Sequence, residues 1–287
     1  MSDTDDGWVA SKVQLDRESY RRRRTRRSVL IASVSTVVVV AVVVLVVVNT
    51  PGWPRFRSTF LDLSYGWEVL PDIASGLWLN IRLMVICEIA ILIVALVVAL
   101  LRSLRGPAWF PLRALAIAYT DLFRGLPLIL VLFLLGFGMP SLRLDWLPKS
   151  GLFWGCVALV LTYGAYVSEV LRAGIESVHP SQRAAARSLG LNHGKTMRFV
   201  VVPQAVRRVL PPLLNDLVSL MKDTGLISVL GVVYDAVLNA KIETSQTYNY
   251  TPYVVAGVLF VIITIPLTRL TDWVARRQGW TGAGGTV

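Results

Sequence analysis

Eight ionisable side chains stand inside stretches that are otherwise apolar: Arg82 and Glu88, Asp121 and Arg124, Glu169 and Arg172, Lys222 and Asp223. A bare charge in the middle of a bilayer costs on the order of 2.5–3.5 kcal/mol, so such residues are functional candidates by default. Asp121 with Arg124, and Glu169 with Arg172, are spaced i,i+3. They either neutralise one another on a helix face or serve gating and solute binding. Glu169 and Arg172 also lie near the end of their stretch, where long side chains reach the interface. Lys222 and Asp223 are neighbours, and neighbours on a helix point about 100° apart. They cannot satisfy each other well, so at least one faces another helix, a cavity or a solute. With Thr224, they mark a translocation path or its gate. Arg82 calls for a partner in the bundle, and Glu88 two turns on is one candidate.

Other chemistry is excluded. Gly190-Leu191-Asn192-His193-Gly194-Lys195-Thr196 is one residue short of a P-loop and follows no strand, so the turn that aims successive N–H groups at phosphate is missing. His179 and His193 have no cysteine or acidic cluster beside them, which removes metal and triad readings. Cys87 and Cys156 both lie in apolar stretches and offer neither a disulfide framework nor metal spacing. No catalytic set remains.

Membrane helices must position these charges. The chain has 287 residues, 54% of them hydrophobic, and a mean hydropathy of +0.60, which points to a membrane protein rather than a soluble domain. Apolar stretches run over about 28–48, 76–101, 114–139, 152–173, 206–232 and 252–272. They are too long for strands, and hydrocarbon admits helices as the simple alternative. The first follows a basic run but lacks a cleavage site, so it reads as an anchor rather than a secretory signal. The formal charge of +11 is not a nucleic-acid footprint, because it sorts by side. The Arg21–Arg27 run, Arg102, Arg105, Arg113, Arg183, Arg187, Lys195, Arg198, Arg207, Arg208, Arg276 and Arg277 fall on one side of an alternating topology. Only Arg55, Arg57, Arg143, Lys149 and Lys241 fall on the other. The bias places both termini inside.

Between the fourth and fifth stretches lies a polar, basic loop, 181–203. Pro180-Ser181 suits a helix start with Ser181 as cap, Gly190 suits a left-handed helix end, and Asn192 suits the cap of a second short helix from His193 towards Val201. Arg183 and Arg187 share an i,i+4 spacing, and Ala184, Ala185 and Ala186 give a smooth, narrow side. That side offers little area for lipid, which favours docking to a soluble partner over lying on the membrane.

Ala184-Ala185-Ala186, then Gly190, then Val200, Val202 and Pro203 resemble the EAA loop of binding-protein-dependent ABC importer permeases, with Ala184 where the family usually has Glu. Further matches narrow the resemblance to the polar-amino-acid permeases over about residues 70–275. They are Gly76-Leu77-Trp78-Leu79-Asn80, Tyr119 to Pro127 with Asp121 for Glu, Tyr166 to Ile175 with Ala173 for Gly, Pro203 to Arg207, Leu210 to Asn215, and Leu220 to Leu226 with Gly225 for Ser.

The resemblance implies an all-α polytopic membrane protein, a five-helix type I importer core with one added N-terminal transmembrane anchor. The boundaries are 1–27 (disordered tail), 28–48 (anchor), 49–75 (external linker), 76–272 (transmembrane domain, coupling loop 175–205) and 273–287 (tail). It implies a plasma-membrane permease subunit, not an enzyme, that moves a polar amino acid or similar small solute by alternating access. The coupling residues are then Arg183, Ala184, Ala185, Ala186, Arg187, Gly190 and Pro203; without the usual Glu, either the ATPase surface differs or Arg183 and Arg187 supply the contacts. The path or gate residues are Lys222, Asp223, Thr224, Asp121, Arg124, Glu169 and Arg172. The implied partners are cytoplasmic ABC ATPase subunits, an external substrate-binding protein, a second permease subunit and membrane lipid, with no nucleic acid. No cofactor is expected in this chain; ATP and magnesium belong to the ATPase. The rival reading, a secondary transporter driven by an ion gradient, predicts inverted repeats, and the six stretches contain none.

Overall fold

The computed structural model describes residues 11–104, 106–231 and 233–277, and the chain divides into residues 1–58 and residues 59–287. Within the described residues the regular structure is helical throughout: α1 Lys12–Val48, α2 Trp53–Phe60, α3 Leu63–Ser103, α4 Phe110–Gly125, α5 Leu128–Ser141, α6 Gly151–Glu176, α7 Pro180–Ser188, α8 His193–Thr196, α9 Val202–Asp223, α10 Ala236–Thr247 and α11 Thr251–Arg277. Four of these helices are long and apolar enough to cross a membrane, or five if α4 and α5 form one broken span.

In the first unit, α1 is a single helix of 37 residues, about 55 Å long. Ser11 caps its start by accepting from the Gln14 N–H at 3.3 Å, and Asn49 Nδ2 closes its end on the Leu45 carbonyl at 2.7 Å. The tail expected over 1–27 is thus helical from Lys12 onward, and residues 1–10 lie outside the described ones. Arginine and leucine are good helix formers, and extending a helix is far easier than starting one.

In the second unit, α3 and α6 run against each other. Leu83, Cys87 and Ile91 of α3, Leu159, Tyr163 and Val167 of α6, and Leu132 of α5 make the larger core with Leu220, Ile227 and Leu230. Val69, Ile73 and Leu77 on the earlier turns of α3 make a second core with Met221, Ala236, Ala240 and Ala256. The i,i+4 recurrence on α3 puts these residues on one stripe, and in lipid such stripes hold by close packing more than by apolar transfer.

Four expectations change. The linker 49–75 holds α2 and the start of α3, because Asp62 caps α3 by accepting from the Tyr65 N–H at 3.2 Å. Pro71 lies inside α3. The stretch 114–139 is not one rod: α4 and α5 meet at 106°. Leu126, held extended at φ −96 and ψ 136, is the residue before Pro127, where the helical region is sterically disfavoured. The stretch 206–232 is also not one apolar rod. It is the charged helix α9 followed by a 3₁₀ segment, Thr224–Leu230. Pro211 and Pro212 both lie inside α9. Finally, α11 runs through Arg277, so residues 273–277 are helix and 278–287 lie outside the described residues.

Candidate functional site

The loop after α6 is built from local caps. His179 rather than Ser181 starts α7: its Nδ1 accepts from the Ser181 N–H at 3.2 Å and meets Ser181 Oγ at 2.7 Å, with Pro180 at the first helical position, where a missing N–H is harmless. Gly190 takes φ +81, its N–H donates to the Arg187 carbonyl at 2.9 Å, and the Leu191 N–H donates to Ala186 at 3.1 Å. A left-handed glycine closing the last carbonyls is how such helices end. Asn192 Oδ1 then accepts from the Lys195 N–H at 2.9 Å and starts α8. Met197–Val201 form one wide π turn, which merges into α9 with Pro203 in its first turn.

The two faces of α7 differ. Ala186 is buried, and Arg183, half-buried, donates to the Ile175 carbonyl near the end of α6. Ala184, Ala185, Arg187 and Leu189 are exposed, Leu189 at 83%. Arg183 and Arg187 therefore do not act as a pair. Arg208 of α9 donates to the Ser177 carbonyl, so the end of α6 receives two guanidinium groups at its negative dipole end. Gly174 lets α9 approach, since a Cβ there would stand 2.1 Å from Val209 Cγ1.

Beside that junction lies an ion-pair ladder. Glu169 accepts from Arg102 of α3 at 2.5 Å and from Arg172 on its own helix, and Arg172 also reaches Glu176 at 2.5 Å. The i,i+3 pair thus exists, and its main effect is to tie α6 to α3. Asp121 and Arg124 form no such pair. Both are exposed; Arg124 lies 5.7 Å from the Tyr166 ring centre, and the Tyr166 hydroxyl donates to the Arg124 carbonyl at 3.1 Å. Arg82 is exposed and makes no ion pair with Glu88 among the described residues.

Where α9 ends, Lys222 is exposed, while Asp223 accepts from the Tyr163 hydroxyl at 2.7 Å. The neighbours do face different surroundings. Asp216, two turns earlier on α9, has its Oδ2 buried without a hydrogen-bond partner among the described residues. Thr224 is wholly buried and accepts from Asn80 Nδ2 at 3.2 Å. The same Asn80 Nδ2 donates to Asp235 at 3.1 Å, and Asn80 Oδ1 accepts from the Ala236 N–H at 3.1 Å. Asp235 caps α10 through the Leu238 N–H at 2.8 Å. Sequence reasoning passed over Asp235, Asp216 and Tyr163. Asp235 stands in the gap between the fifth and sixth apolar stretches, where nothing local in the sequence marks it as buried.

Comparison with known proteins bears on this arrangement. Residues 91–280 match the family described as binding-protein-dependent transport system inner membrane component. The chain is 34% identical over 221 residues to the arginine transport system permease protein ArtQ of Bacillus subtilis, covering 76% of this chain and 97% of that one. It is 35% identical over 216 residues to a probable amino-acid ABC transporter permease protein of Sinorhizobium fredii, covering 74% and 90%. Among solved structures, an amino acid ABC transporter with histidines superposes with a TM-score of 0.68 at 31% identity, covering 76% of this chain and 98% of that one. The methionine transporter MetNI, at a TM-score of 0.59 and 18% identity, shares the fold. The chain belongs to the binding-protein-dependent transport system inner membrane components, as a transport permease subunit.

Proposed function

We propose that this chain is the membrane-spanning half of an ATP-driven importer for a polar amino acid or similar small solute. The observation that carries this is the α7–Gly190–α8 element. One face is tied to the α6 terminus through Arg183 and has Ala186 buried; the other presents Ala184, Ala185, Arg187 and Leu189 to solvent. A narrow exposed face fixed to the end of a membrane helix is what an ATPase cleft needs to grip. Closure of an ATPase pair moves α7. The ties of Arg183 and Arg208 to α6, and of Glu169 to α3, carry the movement into the spans.

The loop side is cytoplasmic, as the basic residues on it require, and the termini share that side. ATP and magnesium bind the partner ATPase, and this chain contributes no nucleotide ligand. A substrate-binding protein delivers solute from outside, and a second permease subunit completes the path. The path runs by Asp223, Tyr163 and Lys222. The names of the relatives, which include arginine and amino-acid permeases, support an amino acid as cargo.

The test is purification of tagged protein from its own membrane in mild detergent, with identification of what accompanies it. An ABC ATPase should co-purify and be lost from Ala185→Arg and Leu189→Asp variants that still insert. Consistent absence of an ATPase under gentle conditions, with uptake in vesicles driven by an ion gradient, overturns the reading.

A further inference from the structure

We propose that the arginine collar over residues 21–27 of α1 is a binding surface for the anionic headgroups of membrane lipids. α1 is unbroken from Lys12 to Val48, so its basic and apolar parts share one axis. With Ser28 to Val48 in hydrocarbon, the turns just before them are carried into the headgroup layer. Residues 21–27 extend about 10 Å along the axis, against roughly 5–8 Å for that layer.

The charge is concentrated at that depth. Arg21, Arg22, Arg23, Arg24, Arg26 and Arg27 place six positive charges in seven residues with no acidic residue among them. In the nine residues before them, Lys12 and Arg17 are balanced by Asp16 and Glu18. A helix merely solvated by water has no reason to change composition where lipid phosphates begin. Arg21, Arg24, Arg26 and Arg27 are exposed, and helical spacing spreads them round the axis instead of along one face. That suits a ring of lipids around a membrane helix better than a single flat partner. None of these four makes an ion pair among the described residues. The guanidinium group matches phosphate oxygens with paired N–H donors. Basic clusters beside a membrane helix are attracted to anionic leaflets. The family match begins at residue 91, so the collar is an addition to the permease core and does not depend on the transport reading.

The experiment uses the full chain in mixed micelles holding equal phosphatidylglycerol and phosphatidylcholine, with retained lipids counted by native mass spectrometry. Wild type should retain the anionic lipid about tenfold over the zwitterionic one, and the preference should fall as salt is raised. Replacing the six arginines by glutamine should abolish the preference, while replacing them by lysine should keep most of it. Equal retention of both lipids by wild type, or an unchanged preference in the glutamine variant, overturns the proposal. So does a soluble oligonucleotide that displaces the anionic lipid, because the collar would then be a general anion surface. If the glutamine variant fails to insert, the wild-type lipid ratio, its salt dependence and the lysine variant still decide.

Discussion

Asn80 and Asp235, separated by 155 residues in the chain, hold the joint between α3 and α10. Asn80 Nδ2 donates to the Asp235 carboxylate at 3.1 Å, while Asn80 Oδ1 accepts from the N–H of the next residue, Ala236, at 3.1 Å. Both side chains are wholly buried. The same Nδ2 also reaches Thr224 at the start of the 3₁₀ segment. One amide thus joins the helix that crosses the bundle, the end of α9 and the start of α10. A carboxylate buried away from water requires such donors.

Asn80→Ala should therefore destabilise the protein by about 3 kcal/mol, since it leaves the Asp235 carboxylate and the Ala236 N–H short of partners. Thermal unfolding followed by a thiol-reactive dye is suitable, because Cys87 is buried. An unchanged midpoint would show that the joint holds without Asn80.

Gly76 lies under the same joint. A Cβ there would stand 2.5 Å from both the Ala236 nitrogen and the Asp235 carbonyl carbon, which are backbone atoms. Gly76→Val should push α10 off α3 and cost about 3 kcal/mol or more. Gly174→Ala meets a side chain instead, Val209 Cγ1 at 2.1 Å. Its loss of about 1–3 kcal/mol should be largely recovered in the Gly174→Ala, Val209→Ala double variant. Additive losses in that cycle would rule out the close approach as the cause.

Asp223→Asn and Tyr163→Phe probe the other end of α9. Each weakens the 2.7 Å hydrogen bond between them without opening a cavity. Uptake into vesicles should fall about tenfold or more for Asp223→Asn and less for Tyr163→Phe, with assembly unchanged. Uptake kinetics identical to wild type would remove Asp223 from the path.

Arg208→Ala should loosen the tie between α9 and the Ser177 carbonyl at the end of α6. With the ATPase bound, ATP hydrolysis should persist while solute moved per ATP falls several-fold. Arg208→Lys should restore part of the ratio, since an ammonium still serves a helix C-terminus. A ratio unaffected by the alanine change would mean that movement reaches α6 by another route.

Much of this protein follows from the order of its residues alone. Long apolar runs separated by basic loops determine a helical membrane protein, because runs too long for strands satisfy their backbone groups in hydrocarbon within a single helix. The loop after α6 was legible almost residue by residue. The Gly190 helix end and the Asn192 cap depend only on groups within a few positions along the chain. The cap of α7 differs by only two positions, His179 in place of Ser181.

What the tertiary structure decided is which side of each helix meets another. Arg183 and Arg187 have the same spacing relation as any i,i+4 pair, yet packing turns Arg183 onto Ile175 and leaves Arg187 in solvent. Asp121 and Arg124 have the spacing to pair, yet Arg124 meets Tyr166. Pro127 sits where α4 turns into α5, but the sequence set no angle, and Pro211-Pro212 pass through α9 without ending it. Nothing in the spacing of Asn80 and Asp235 joins them. A buried polar group finds its partner through the fold, and the fold joins positions that sequence spacing leaves 155 residues apart.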